Sequence, residues 1–180
     1  SLFKGTRGQF HLTKTAPNCW SAQDTLGLEG IDLLHDVERL QFADKKLALD
    51  LSPSEHAGQS LEFLGVLAPA AINNPEIVGL ILGLFDQGSS LHDVFQLAID
   101  VHLVSQLAGS GSNTDLARLA FRNIVGAEAD ATTLDILVSF MDGRSASYSQ
   151  SDFLTVVAGM EVNQTHIGLI GWQQTGIEYV

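Results

Sequence analysis

The sequence predicts an α+β protein, with a small N-terminal antiparallel β-sheet followed by a pseudo-duplicated α-helical bundle. Before residue 52, short runs alternate polar and apolar side chains, which is the period of a strand. After residue 57 the apolar residues recur at helical spacing. That helical pattern occurs twice, and Gly88 and Gly143 mark the same point 55 positions apart. A repeat of this length indicates a duplicated supersecondary unit.

The N-terminal region, residues 1–52, is predicted to form a β-hairpin region. Its three strand-like runs are residues 9–13, 37–42 and 47–51. Residues 44–46 predict a polar turn, and two glycines predict a tight turn over residues 27–32. The leucines at 47, 49 and 51 share one face, which we expect the helices to cover. Residues 52–58 predict a linker.

The first helical copy, about residues 57–110, is predicted to hold three helices. Apolar residues at helical spacing define the first of them, and they stand at 61, 64, 67 and 68. Pro75 suits the first turn of the second helix, which is expected to stop at Gly88. Asp93 is predicted to start the third helix, and the glycine- and serine-rich residues from Gly109 end it.

The second copy, about residues 112–165, repeats this order. Asp130 or Thr132 can cap its second helix. Asp152 mirrors Asp93, with four extra residues inserted before it. A last helix is predicted to end near Gly176 and to complete a helical domain at 57–176. Residues 177–180 are predicted to form a closing strand.

Two packing expectations follow from the duplication. Neither copy can bury its apolar face alone, so we expect the copies to pack with pseudo-two-fold symmetry. This expectation places Leu82 and Phe85 opposite Leu137 and Phe140. A sheet as small as the N-terminal one is marginally stable by itself, so strands and helices are expected to form one folded unit.

Composition excludes several functional classes. The formal net charge is −12, from 21 acidic side chains against 9 lysines and arginines. This balance argues against nucleic acid and anionic membrane surfaces as partners. The longest apolar run, residues 77–85, is too short to span a membrane, which needs about 20 residues. The N-terminus resembles no cleavable leader. The single cysteine, Cys19, forms no intramolecular disulfide and is predicted to be a buried, inert thiol.

Candidate chemistry is sparse along the chain. The six histidines form no metal motif, and Asp32, His35 and Glu38 are expected to point in different directions. The turn at residues 29–34 is similar to one calcium-binding nonapeptide repeat, but it has no adjacent repeat to complete a site. Trp20 and Trp172 belong either to the core, which we favour, or to a sugar-binding surface. We therefore predict no catalytic residue, no bound cofactor and no metal ligand in this chain.

Three segments resemble known families. Residues 30–45 (GIDLLHDVERLQFADK) resemble the motif G-x-D-x-L-x-x-V-E-R-L-x-F-x-D, a hairpin of large bacterial exoproteins of the repeats-in-toxin, type I secretion class. Residues 88–94 (GSSLHDV) and 121–130 (FRNIVGAEAD) are similar to G-x-S-L-x-D-V and Y-x-N-V-L-G-R-x-x-D. Those two elements belong to a helical repeat called domain of unknown function 4214, which often follows the hairpin.

The chain departs from this helical family at several positions. The family's arginine is Ala127 here, and its tryptophan is replaced by leucine in both copies. Its glycine is Val78 in one copy and Thr133 in the other. If these family positions form a ligand site, we expect that site to be lost in this chain.

The resemblance implies a function outside catalysis. It suggests an interaction, adhesion or assembly module at the C-terminus of a secreted or surface bacterial protein, located outside the cell. The expected partner is a protein or a cell-surface glycan, without membrane insertion. Calcium would belong to upstream repeats. One alternative is a carbohydrate-binding or accessory module of a larger secreted hydrolase, and another is the end of an enzyme whose active site lies upstream.

Overall fold

The computed structural model describes residues 1–27 and 29–180 and confirms the α+β fold class. In this part of the chain there are six strands and nine α-helices. The strands are β1 (Phe10–Ala16), β2 (Cys19–Asp24), β3 (Ile31–His35), β4 (Arg39–Gln41), β5 (Lys46–Ala48) and β6 (Ile177–Tyr179). The helices of the first copy are α1 (His56–Leu67), α2 (Pro75–Asp86), α3 (Leu91–Asp100) and α4 (Leu103–Ala108). The remaining helices are α5 (Asn113–Val125), α6 (Ala131–Met141), α7 (Gln150–Ala158), α8 (Glu161–His166) and α9 (Leu169–Thr175).

The first sheet is an antiparallel meander in the order β1-β2-β3. Only β1 was predicted, because β2 alternates Trp20 and Ala22 inward with small polar residues outward and so shows a weak apolar period. The turn predicted over residues 27–32 is shorter than expected, since β3 begins at Ile31. Gly27 and Gly30 both have positive φ, as that turn requires. Residue 28 of the predicted turn lies outside the described residues.

The second sheet has the order β4-β5-β6 and joins the two ends of the described chain. β6 pairs antiparallel with β5, with Leu47 opposite Glu178, which confirms the predicted closing strand. The following residue also contacts α2, where the backbone nitrogen of Val180 donates to the oxygen of Pro75 at 3.2 Å. A side chain at Gly79 would collide with the Val180 oxygen, so the glycine permits this close approach.

The second sheet is the middle layer of the molecule. Phe3, Phe10 and Phe42 lie between the two sheets, with ring centroids 4.7–5.4 Å apart. On its other face, Ala48 and Ile177 belong to the core shared with the helices. All of residues 47–51 are therefore buried, although the sequence predicted a half-buried strand. The leucines at 47 and 49 pack in the core between the sheets instead of beneath the helices as we expected.

Each helical copy contains four helices where the sequence predicted three. The short helices α4 and α8 were missed, because six residues are too few to show a period. α3 and α7 begin two residues before the predicted aspartates, and their N-caps, Ser90 and Ser149, lie three residues before them. Asp130, one of two candidates, is the N-cap of α6. Pro75 opens α2 as predicted.

The two copies pack on each other as predicted. Two of the contacts between them each join a helix to its own counterpart in the other copy. α1 packs on α5, and α3 packs on its counterpart α7. The contact of α1 with α8 has a counterpart in the contact of α5 with α4. Because α5 is the counterpart of α1 and α4 is the counterpart of α8, these contacts relate the two copies by pseudo-two-fold symmetry. The predicted facing of α2 and α6 is not the packing seen: α2 packs on α1, α3 and β6, whereas α6 packs on α5 and α7.

Candidate functional site

The motif at residues 88–94 forms the beginning of a helix. The backbone nitrogen of Asp93 donates to Ser90 Oγ at 3.2 Å, and the Ser90 nitrogen donates to the Asp93 carboxylate at 3.0 Å. The second copy repeats this capping box with Ser149 and Asp152, at 3.1 and 2.9 Å. Hydrogen bonds from the serines lower the pKa of both carboxyl groups. The motif therefore starts α3 and α7.

The motif at residues 121–130 connects the two copies. The Asn123 amide donates to the carbonyl oxygens of Val66 and Leu67, at 2.7 and 3.1 Å. These carbonyls lie at the end of α1 and have no partner within that helix. Gly126 has a φ of 77° and ends α5. Within this motif, Asn123 therefore pairs the carbonyls at the end of α1, and Gly126 ends α5.

Arg39, from the hairpin motif, attaches the second sheet to the helices. Its guanidinium pairs with Asp50 and, at 3.0 Å, with Asp86 at the end of α2. Asp86 also accepts from His56 Nδ1 at 2.8 Å if that nitrogen carries the proton. The Arg39 guanidinium lies 5.8 Å from the ring centre of Tyr179 in β6. The arginine thus links β4 and β6 to the first helical copy.

A polar cleft of about 150 Å³ lies between the two sheets and the start of α1. Two of its carboxylates already have structural partners: Asp50 accepts from the Ala57 nitrogen at 3.2 Å, and Glu55 accepts from the Ser52 nitrogen at 2.8 Å. Burial raises the pKa of Asp50, against the opposing effect of Arg39. The cleft therefore joins layers of the fold, and its charges are largely used for that purpose.

Both tryptophans serve packing. Trp20 lines the same cleft but is only 2% exposed, so it belongs to the core, as we favoured. Trp172 is half-buried, and its Nε1 donates to the Ile167 oxygen at 3.1 Å. A sugar-binding platform needs an aromatic face open to solvent. Trp20 has none, so support for the sugar-binding alternative is reduced.

The thiol of Cys19 is half-buried on the outer face of the first sheet, not fully buried as predicted. Its sulfur lies 3.2 Å from His35 Nδ1 on the neighbouring strand. Asp32 and His35 lie on β3, and Glu38 lies in the connection to β4. Within residues 1–27 and 29–180, no three His, Cys, Asp or Glu side chains are grouped so as to hold a metal ion.

A serine–histidine–aspartate cluster joins α3 to α7. Ser151 Oγ lies 3.1 Å from His92 Nε2, and the Asp93 carboxylate lies 3.9 Å from Nδ1 of the same ring. Ser151, however, is 1% exposed and donates its proton to Gln96 Oε1 at 2.9 Å. A nucleophile needs access and a base to take its proton. This cluster offers neither and instead connects equivalent positions of the two copies.

Another buried polar group lies where α1 contacts α8. Glu62 is 2% exposed and accepts from Gln164 Nε2 at 2.7 Å. Burial raises its pKa to about 7, although the hydrogen bond from Gln164 lowers it. Its neighbour Asn163 donates to the Glu62 carbonyl oxygen at 3.1 Å. This cluster is enclosed between helices, so it influences stability rather than ligand binding.

The surface feature that follows the duplication consists of exposed aliphatic residues. In the first copy they are Leu97, Val101 and Leu103, and their counterparts 59 positions later are Val156, Met160 and Val162. All six side chains are between 37% and 59% exposed. We call the two sets the first and second apolar ridges. Single exposed aliphatics are common, but three matched positions in both copies are unexpected.

The burial order around the ridges supports this correspondence. Residues 97–109 and 156–168 have the same succession of buried and exposed positions, apart from two places where the degree of burial differs. Both segments end in a glycine with positive φ, Gly109 at 91° and Gly168 at 65°. The turns between the helices differ locally, because His102 is left-handed and its counterpart in the second copy is helical. The exposed aliphatics are thus matched in burial as well as in sequence, although Met160 is extended where Val101 is close to helical.

Carboxylates flank both ridges. Asp93 precedes Leu97 by four residues on α3, and Asp152 precedes Val156 by four residues on α7, so each pair lies on one helix face. Beside the first ridge is a depression of about 390 Å³ that includes Asp100. Beside the second is one of about 400 Å³ that includes Glu161. The ridges and their carboxylates are the candidate functional site, which periodicity of the buried residues could not reveal.

We expect calcium to leave the thermal stability unchanged. Asp24 already accepts from the Leu26 and Glu29 nitrogens at 2.9 and 2.8 Å, and Asp32 lies on β3 instead of in the turn. Protein dialysed against chelator should keep its melting temperature when calcium is added. An increase of several degrees that disappears in Asp32→Ala would contradict this prediction.

In the described part of the chain, no helix is both long and apolar enough to span a membrane. Comparison of the sequence with protein-family models and curated proteins, and of the structure with solved structures, found no match.

Proposed function

We propose that this chain is a non-catalytic interaction module of a secreted or surface bacterial protein, and that the apolar ridges bind its partner. The observation that carries the proposal is the exposure of matched aliphatic residues in both copies. Exposed apolar patches mark interaction sites, and the matched aliphatics are the residues that would form them here. The hairpin resemblance supports location outside the cell, as a C-terminal module of an exported protein.

The polar clusters support the same proposal. Capping boxes, Asn123, Arg39 and Ser151 all have partners within the fold. None of these groups places a nucleophile beside a free base on an open surface; the Cys19–His35 pair lies outside them. A protein partner is favoured over a glycan, because the ridges are aliphatic and aromatic faces are what bind sugar rings.

The test compares three forms of the chain. Leu97→Glu/Val156→Glu places charge on both ridges, and Thr132→Glu/Gln174→Glu adds the same charge at exposed positions of α6 and α9. Each form is immobilised and probed with a glycan array and with cell-envelope and culture-fluid proteins of the source bacterium. We expect the wild type and the control to retain one and the same protein and the ridge variant to lose it.

Two results would contradict the proposal. One is retention of the same protein by the ridge variant. The other is glycan binding that the ridge substitutions do not alter but that Trp172→Ala removes, which would favour the carbohydrate-binding alternative. Melting temperatures of the three forms, measured beforehand, show whether each is folded.

A further inference from the structure

We infer that the ridges are two equivalent docking sites, each for a basic amphipathic helix of a partner protein. The inference rests on the proposed function and specifies the partner's chemistry and its number of sites. Each ridge places a carboxylate and two aliphatic side chains at successive four-residue steps, followed by a third aliphatic on the next helix. An amphipathic helix presents its apolar residues at the same three- and four-residue spacing.

The charge distribution determines the sign of the partner's charge. Residues 47–117 and 145–180 contain no lysine or arginine, and both ridges lie in these segments. Residues 57–176 hold three arginines and twelve acidic residues, which accounts for −9 of the net −12. Those arginines are paired with carboxylates: Arg118 with Asp115, Arg122 with Glu128, and Arg144 with Asp135. An incoming basic helix would therefore meet an excess of carboxylates, of which Asp152 and Asp93 also lie 3.3 and 3.9 Å from the ring nitrogens of His92.

The carboxylates at the ridges are ionised at neutral pH. Serine hydrogen bonds lower the pKa of Asp93 and of Asp152, so both remain charged. Asp100 precedes Val101 within the first ridge, and Glu161 lies between Met160 and Val162 within the second; each lines one of the two depressions. Lysines flanking the apolar face of a bound helix can therefore pair with the carboxylate that precedes a ridge and with the one inside it.

The same charge argues against a second copy of this chain as the occupant. Two surfaces with carboxylates at equivalent places repel each other, and the whole chains each carry −12. Pseudo-two-fold symmetry repeats the site within one chain. The expected stoichiometry is therefore two helices per chain.

The experiment uses isothermal titration calorimetry on the full chain with three 14-residue peptides. One is an amphipathic leucine–lysine helix, the second has the same composition in scrambled order, and the third replaces its lysines with glutamate. We expect the first peptide to bind at two per chain and the others to bind at least tenfold more weakly. Leu97→Glu and Val156→Glu should each reduce the stoichiometry to one, and the double variant should abolish binding.

The control Thr132→Glu/Gln174→Glu should retain both sites, which separates the loss of apolar contact from the added charge. Equal binding of the scrambled peptide would overturn the inference in favour of non-specific charge attraction. So would one site per chain, or a wild-type dimer in light scattering that Leu97→Glu converts to a monomer. If the ridge-dependent partner of the first experiment is retained but the peptide does not bind, the proposed function stands and the inference is wrong.

Discussion

Replacement of Phe85 by alanine is expected to lower the free energy of unfolding by about 3–5 kcal/mol. The ring is fully buried in the helical core. α2, which carries it, packs on α1, α3 and β6, so the cavity left by the ring has rigid walls on several sides. Urea denaturation followed by circular dichroism measures the loss.

The same replacement at Phe140, its counterpart 55 positions later, is expected to have a smaller effect, about 1–2 kcal/mol. Phe140 is only half-buried, and its ring stacks at 6.3 Å on Tyr148, which is itself 42% exposed. The facing arrangement that the sequence predicted would bury both rings alike and give equal losses in stability. Equal losses in the two variants would show that the second copy buries this ring as deeply as the first. Losses below about 1 kcal/mol in both variants would show that neither ring belongs to the core.

Replacement of Glu62 by glutamine is expected to stabilise the protein at pH 8 and to have almost no effect near pH 3.5. Burial raises the pKa of this carboxyl in the folded state to about 7. In the unfolded chain an unperturbed glutamate titrates near about 4.3. Glutamine is neutral at every pH and can accept the same hydrogen bond from Gln164. Removing the buried charge therefore matters only where the native glutamate would be ionised.

The sign follows from the order of the two pKa values. Below the unfolded value both states hold the proton, so no penalty arises. Between the two values only the folded state keeps it, so stability falls as the pH rises. Above the folded value the penalty is constant, at up to about 3 kcal/mol for a pKa difference of this size. Chemical denaturation at several pH values should show the wild type losing stability through this range relative to Glu62→Gln.

Glu29→Gln is the matched control, because it makes the same change at an exposed turn position. Its stability relative to the wild type should not vary between pH 5 and 8. If Glu62→Gln were destabilising at pH 8, the carboxylate would be making a favourable interaction in its ionised form, and the expected direction would be wrong.

Local patterns were sufficient to predict the class of the fold. Helical spacing after residue 57, Pro75 and Gly88 at helix ends, and the repeat of 55 positions all report on single elements or on their duplication. Hydrophobic period and capping chemistry act over a few residues, so they can be read without a partner element. The strand β2 was not predicted because its inward residues include Ala22 and Asp24, which have weak or no apolar signal.

Tertiary structure alone decided which apolar faces are covered. Ile81 is 8% exposed and its counterpart Ile136 is 53% exposed, because β6 packs on α2 in the first copy while α6 packs on α5 and α7 of its own copy. Residues 47–51 are buried on both sides because a second sheet lies against them. In the sequence, the residues of the two ridges cannot be told apart from ordinary core residues. An aliphatic side chain has the same hydrophobic signal whether another element covers it or not, so only the assembled layers show which aliphatics remain free to bind.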